Sequence, residues 1–303
     1  VIGRAAMFAV TLALAGGLGG CASLDPLAGQ HEAASQHEPK VTRRAAPEYE
    51  AVAASFNERV APADTFWARA SIRVDGRDAE GGRLNEQAEG HLQIERPRRL
   101  ALSIGKLGET HLYLGSSDEV YWWMDLIDKD DAFAVFGRHE FVTPEKAAQL
   151  GVPVHPLDLI DAIALSPLPA GAPGAWAAWT DDGSELVVRA PGRWGARRMW
   201  LDPETFEPRR VEIEDDAGRL LLSADLSRYD YVRKSGDATI RLRLATRYEI
   251  KTAGMDATVR INLFEPKIRS IRPIAFDLPR LLETYRIDQA WDLDAPRAGL
   301  TGD

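Results

Sequence analysis

The sequence predicts an α+β protein, mainly β, built on an antiparallel sheet of about eleven strands. Three observations carry that prediction. Apolar and polar residues alternate with period two through 66–124 and again through 185–267. Turn-forming pairs, among them Asp75-Gly76, Gly81-Gly82 and Ala253-Gly254, punctuate those runs. Between the two blocks, 143–168 changes to helical spacing.

The chain begins with a basic residue, Arg4, and an apolar run from Ala5 that ends in Leu18-Gly19-Gly20-Cys21. A charged start, a short apolar core and small residues before a cut site make an export signal. The run is too short to span a bilayer comfortably as a helix. An aliphatic residue, two small residues and a cysteine resemble the end of a bacterial lipoprotein signal, although Gly19 stands where such signals more often carry Ala or Ser. The resemblance implies that residues 1–20 are removed and that Cys21 becomes a lipidated N-terminus. The protein is then expected in the cell envelope, anchored by lipid to the outer membrane and facing the periplasm. Each buried methylene of the anchor contributes about 0.8 kcal/mol.

Cys21 is the single cysteine of 303 residues, so neither an internal disulfide nor a cysteine-based metal cluster is expected. A formal net charge of −9 disfavours nonspecific binding to nucleic acid or to anionic lipid, and no nucleic-acid partner is expected. Hydrophobic content of 45% and charged content of 27% suit an ordinary folded domain.

Residues 22–46 show no hydrophobic periodicity and read as a flexible tether. His31 and His37 within it read as solvated side chains, not metal ligands. Pro47, Glu48 and Glu50 suit the first turn of a helix, and Val52, Phe56 and Val60 then recur every four residues. The organisation expected is a signal over 1–20, a lipidated tether over 21–46, a folded domain over 47–291 and a tail over 292–303.

The first strand follows the helix. Phe66, Ala68, Ala70, Ile72 and Val74 share one face, and Arg69, Ser71 and Arg73 share the other. Further strands are expected over 85–95, 100–106, 109–115 and 119–124. In the last of these Val120, Trp122 and Met124 align, with Tyr121 and Trp123 opposite. The acidic stretch 125–131 lacks the central Gly and closing Glu of a calcium loop and reads as a solvated turn. Thr143-Pro144-Glu145 reads as a cap and first turn. A second helix starts near His155-Pro156, with Leu157, Leu159, Ile160, Ile163 and Ala164 on one face, and Pro167, Pro169 and Pro173 end it. Strands return over 186–190, 197–201, 209–215, 220–229, 238–250 and 256–265, and a short helix is expected around 279–285.

Catalytic signatures do not appear. The sequence holds no Gly-x-Ser-x-Gly elbow, phosphate loop or dinucleotide fingerprint. His91, His111, His139 and His155 are far apart, and no spacing argues that they meet. Neither enzymatic activity, nor a cofactor, nor a metal is expected. The tryptophans at 122, 123, 176, 179, 194 and 200 read as core and sheet-face packing.

The order of lipidated start, tether, helix, antiparallel strands and helical insertion resembles the Lol-type (LolA/LolB-like) lipoprotein carrier and receptor family. The carrying residues are the strand Phe66–Val74 after the first helix, the turn Leu201-Asp202-Pro203-Glu204-Thr205 before a strand, and Phe276-Asp277-Leu278-Pro279 near the end. The resemblance implies an incomplete β-barrel with helices covering its concave face, and an apolar cavity there for the acyl chains of a lipid or lipoprotein. The lining it suggests is Ile72, Leu102, Ile104, Leu112, Leu114 and Trp122 from the first half, Leu159 and Ile163 from the insertion, and Leu242 and Val259 from the second half. A lipid anchor points to the receptor-like branch. That branch carries a protruding leucine on an exposed loop, and the sequence shows no evident counterpart. The alternative expectation is a non-catalytic envelope scaffold whose sheet face is filled by its own side chains and which binds a protein partner.

Overall fold

Local signals and turn chemistry build one continuous sheet in the computed structural model, which describes residues 45–77, 82–147, 154–253 and 256–295. Helix α1 (Tyr49–Val60) buries Tyr49, Val52, Ala53, Phe56 and Val60, the stripe its spacing predicts. An antiparallel meander follows: β1 (Thr65–Arg77), β2 (Arg83–Glu95), β3 (Arg99–Lys106), β4 (Glu109–Ser116), β5 (Val120–Asp125) and β6 (Phe133–Arg138). The insertion holds a 3-10 turn (His139–Phe141), α2 (Pro144–Ala147) and α3 (Pro156–Ala162). A second meander runs through β7 (Trp176–Trp179), β8 (Leu186–Pro191), β9 (Gly195–Leu201), β10 (Pro208–Asp215), β11 (Leu220–Lys234), β12 (Asp237–Thr252) and β13 (Ala257–Ile268). A 3-10 turn (Pro273–Phe276), α4 (Leu278–Tyr285) and β14 (Gln289–Asp292) complete it.

The two meanders join where β1 pairs with β13, Ile72 opposite Ile261. The spatial order is β14-β6-β5-β4-β3-β2-β1-β13-β12-β11-β10-β9-β8-β7. The sheet is strongly curved and does not close into a barrel. Among the described residues it has fourteen strands, three more than the periodicity marks out. The core of β6 is Phe133-Ala134-Val135-Phe136, apolar toward both faces, so no alternation marks it. β7 and β14 are four residues each, too short to show a period, and β14 pairs with β6 in parallel.

Curvature has a local cause. A Cβ on Gly90 would lie 1.7 Å from the Ser103 carbonyl oxygen, and one on Gly105 would lie 1.8 Å from that of Glu109. Only glycine permits such approach. A register shift between Ile104 and Gly105 bends β3 further.

The sheet carries an apolar layer on each face. On one face, Phe66, Ala68, Ala70 and Ile72 meet Leu92, Ile94, Leu100, Leu102, Leu114, Tyr121 and Trp123. Helix α3 packs there against β3 and β4 and also against β10 and β11, so the sheet wraps around it and this face is concave. On the outer face, Ala101, Tyr113, Trp122, Met124 and Ala134 lie beneath Phe276, Leu278 and Leu281. The Tyr113 hydroxyl donates to the Ala275 carbonyl at 2.9 Å and fixes that cover. The C-terminal helix therefore covers the outer face, not the concave one.

Candidate functional site

The concave face and the short helix over it form the candidate site. His155 starts α3 in an extended conformation, and Pro156 occupies the first turn, where a missing N–H costs nothing. The His155 Nδ1 accepts from the Leu157 N–H at 3.2 Å, so the imidazole itself is the cap. Leu157, Leu159, Ile160, Ala162 and Ile163 then turn into the concave layer.

Polar ties hold this cover at its margins. Arg197 donates to Asp161 Oδ1 and to the Pro167 carbonyl, both at 2.8 Å. The Trp194 indole donates to Asp158 Oδ2 at 2.8 Å, and Arg193 lies 3.4 Å from the other oxygen of Asp158. Asn57 of α1 donates to the Leu168 carbonyl at 2.8 Å and accepts from the Leu168 N–H at 2.7 Å. Arg96 joins the end of β2 to both helical segments, donating to the Ala61 and Leu165 carbonyls at 3.1 Å and to Asp64 at 2.6 Å.

A buried polar cluster sits at the start of α3, where no sequence spacing foretold one. The His155 ring lies 4.6 Å from that of Tyr121, 5.6 Å from His139 and 6.2 Å from Trp194. Because Nδ1 of His155 accepts the Leu157 N–H, its proton is on Nε2. Among the described residues this Nε2 has no hydrogen-bond partner, and neither do the Tyr121 hydroxyl, His139 Nδ1 and Asp158 Oδ1. Burial, reinforced by Arg193 and His139, holds the His155 pKa well below 6.5. Burial lowers that of His139 as well. Desolvation pushes Asp158 up to about 7 against the pull of Arg193 and Trp194, and Tyr121 up to about 12.

The predicted lining residues divide into three groups. Ile72, Leu102, Leu114, Leu159, Ile163 and Leu242 are buried together in the concave layer. Ile104, Leu112 and Val259 pack against that layer but stay half-buried, as does Val74. Trp122 is not among them: it belongs to the outer layer under α4. Period two aligns Trp122 with Val120 and Met124 but does not say which face is inward. The pairing of Trp123 with Leu114 decides it, turning Trp123 and Tyr121 into the concavity. Cys21 lies outside the described residues.

Val74, Ile104, Leu112 and Val259 lie toward one end of β1, β3, β4 and β13. The same strand end leads to the β3–β4 hairpin, whose tip residue Leu107 is fully exposed in the left-handed region at φ 55°. Leu107 is thus a fully exposed leucine at a hairpin tip, a feature that the periodicity of the sequence did not mark. Its signal was the tetrapeptide Lys106-Leu107-Gly108-Glu109, an apolar residue beside the glycine of a two-residue turn.

A trough of about 1260 Å³ opens on the polar side of β13, β1, β2 and β3. Arg69, Ser71, Gln87, Glu89, His91 and Phe264 line it, and of the predicted lining residues Ile104 alone borders it. In the acidic turn after β5, Asp125 and Asp128 accept the N–H groups of Ile127 and Asp130, and Lys129 meets Glu109 at 3.0 Å. Among the described residues no metal-ligating cluster forms, and no helix is long and apolar enough to cross a membrane.

No protein-family model matches the chain, and no curated protein matches it in sequence. Among solved structures it is similar to a domain described as an outer membrane lipoprotein-sorting protein from Vibrio parahaemolyticus. The TM-score is 0.52 at 12% identity, covering 77% of this chain and 99% of that one. A LolA superfamily protein from Nitrosomonas europaea matches at TM-score 0.49 and 14% identity, over 76% of this chain and 98% of that one. A DUF1329 family protein from Desulfovibrio piger matches at TM-score 0.48 and 10% identity, over 77% and 97%. At such identities the likeness is one of fold alone, and the fold this chain shares is that of the lipoprotein-sorting domain.

Proposed function

We propose that this protein is a membrane-anchored envelope lipoprotein whose half-barrel binds the acyl chains of a lipid or lipoprotein. The observation that carries the reading is the half-buried rim Val74–Ile104–Leu112–Val259. It opens onto a continuous apolar layer roofed by a seven-residue helix that polar ties hold at its edges. Each tie contributes about 1 kcal/mol net. An acyl chain that buries ten methylenes gains about 8 kcal/mol, enough to offset lifting several ties. Leu107, at the same end of the sheet, supports the receptor-like branch over a soluble carrier, because a fully exposed leucine at a hairpin tip suits contact with a lipid surface. Lipidation at Cys21 belongs to the same reading, and the mass of the N-terminal peptide tests it directly. Native mass spectrometry of the purified protein tests the acyl site. Retained or acquired acyl species support it, and a protein that stays empty in the presence of fatty acid overturns it.

One observation favours the scaffold reading. Six of the ten predicted lining residues are already buried in the concave layer, as in a closed core. Under that reading the protein acquires no acyl species, and a protein partner copurifies with it from the membrane.

A further inference from the structure

Away from the concave face, β12, β11 and β13 place like charges side by side. Arg241 pairs directly with Arg233 in the β11–β12 ladder. On its other side Arg233 pairs in parallel with Lys267 of β13. Ladder neighbours share a face about 5 Å apart, and like charges placed so are destabilising. Three cations in one row are thus a local cost that folding alone does not require. Neither Arg233 nor Arg241 has an ion-pair partner among the described residues.

The row is ordered by aromatic rings. The guanidinium carbons of Arg241 and Arg243 lie 5.0 and 5.6 Å from the centroid of Tyr231, and Tyr231 is itself exposed. Arg269 lies 4.5 Å from the Trp67 ring centroid and Lys267 5.8 Å from it. Stacked guanidinium groups lose less freedom when they engage an anion. The Nε of Arg243 already meets Glu207 at 3.2 Å, which leaves Arg233 and Arg241 as the strip's cations without an ion pair among the described residues. The result is a narrow basic strip on a chain whose net charge is −9.

We propose that this strip is a docking site for an acidic segment of a partner protein. Two features favour a peptide over an anionic bilayer. The strip is narrow and bordered by the exposed carboxylate of Glu265 beside Lys267, which a flat anionic surface would meet and a single chain avoids. It also lies toward the opposite strand end from Leu107: Lys267 pairs with Trp67 near the start of β1, whereas Lys106 reaches Glu86 beside Val74. When the hairpin tip faces a membrane, the strip faces away from it.

Binding of a fluorescein-labelled octaglutamate peptide to the full chain, read by anisotropy, tests the assignment. Saturable binding is expected that weakens steeply as salt rises. Arg233→Glu should reduce affinity at least tenfold while leaving the thermal midpoint unchanged or higher, because it replaces a repulsion with a Glu–Arg pair. Arg233→Lys should retain most of the binding. Fatty-acid uptake by the same variants should stay at the wild-type level, which separates this site from the concave one. Absence of peptide binding, or equal binding by Arg233→Glu, overturns the proposal. So does binding to phosphatidylglycerol vesicles, but not to the peptide, that Arg233→Glu abolishes, since the strip would then be a membrane contact.

Discussion

His155 combines three jobs in one side chain: helix cap, aromatic partner and buried titratable group. Its neutral form is required, because protonating Nδ1 removes the acceptor for the Leu157 N–H and places a charge near Arg193 and His139. A histidine whose folded pKa is depressed contributes stability above its unfolded value of about 6.5 and loses it as pH falls below that. His139 acts in the same direction. Asp158, raised to about 7, acts oppositely: its contribution is present at acid pH and is lost as pH rises through about 7. Substitution separates these contributions. His155→Asn keeps a good cap and removes the titration, so urea midpoints should fall less between pH 6.5 and 5 than in the wild type. Asp158→Asn, which removes the offsetting carboxyl, should make the acid loss steeper. A wild-type slope unchanged by His155→Asn would exclude this account. Trp122 offers a control on the other face. Trp122→Ala should cost about 3–5 kcal/mol through the cavity it leaves, and any acyl uptake should survive in the folded fraction.

At the scale of elements, α3 illustrates how a short helix becomes a cover. Seven residues do not form a stable helix alone, so its position depends on the layer beneath and the ties around it. Arg197 is nearly buried between Asp161 and the Pro167 carbonyl. Removing it as Arg197→Ala leaves a carboxylate and a carbonyl short of a donor and should cost about 2–3 kcal/mol. Uptake of a fluorescent fatty acid, followed by stopped flow, should become faster as the cover loosens. Slower or unchanged uptake would argue that α3 does not move during entry. The elements the sequence made legible were those with a clean period, such as the β1 face from Phe66 to Ile72 and the stripe of α1. It concealed β6, which is apolar toward both faces, and β7 and β14, which are too short for a period. The concave layer was legible in its apolar members, Ile72, Leu102 and Leu114 among them, because alternation assigns faces. The meeting of His139, His155 and Tyr121 was not, because it depends on the sheet curling until β5 and the start of α3 touch. Leu107 was missed because turn chemistry, not periodicity, places it.

Across the whole molecule, curvature and openness account for the arrangement. Glycines let β2 and β3 bend, the bend wraps the sheet around α3, and the sheet remains open. The helical cover is complete over Phe66, Ile94 and Leu100 and gives out at Val74, Ile104, Leu112 and Val259. Under the proposed function, that gradient makes the strand end that carries Leu107 the entrance to the concave layer. Leu107→Glu should leave fatty-acid uptake intact and reduce binding of the protein to lipid vesicles. Equal vesicle binding would remove the hairpin tip from the account. Titration of the purified protein with a fluorescent fatty acid, comparing wild type with Ile104→Glu, probes that entrance. A saturable rise at one ligand per chain, weakened at least tenfold by Ile104→Glu while the fold is retained, is the predicted result. No uptake by the wild type, or uptake indifferent to the charge at position 104, would contradict it.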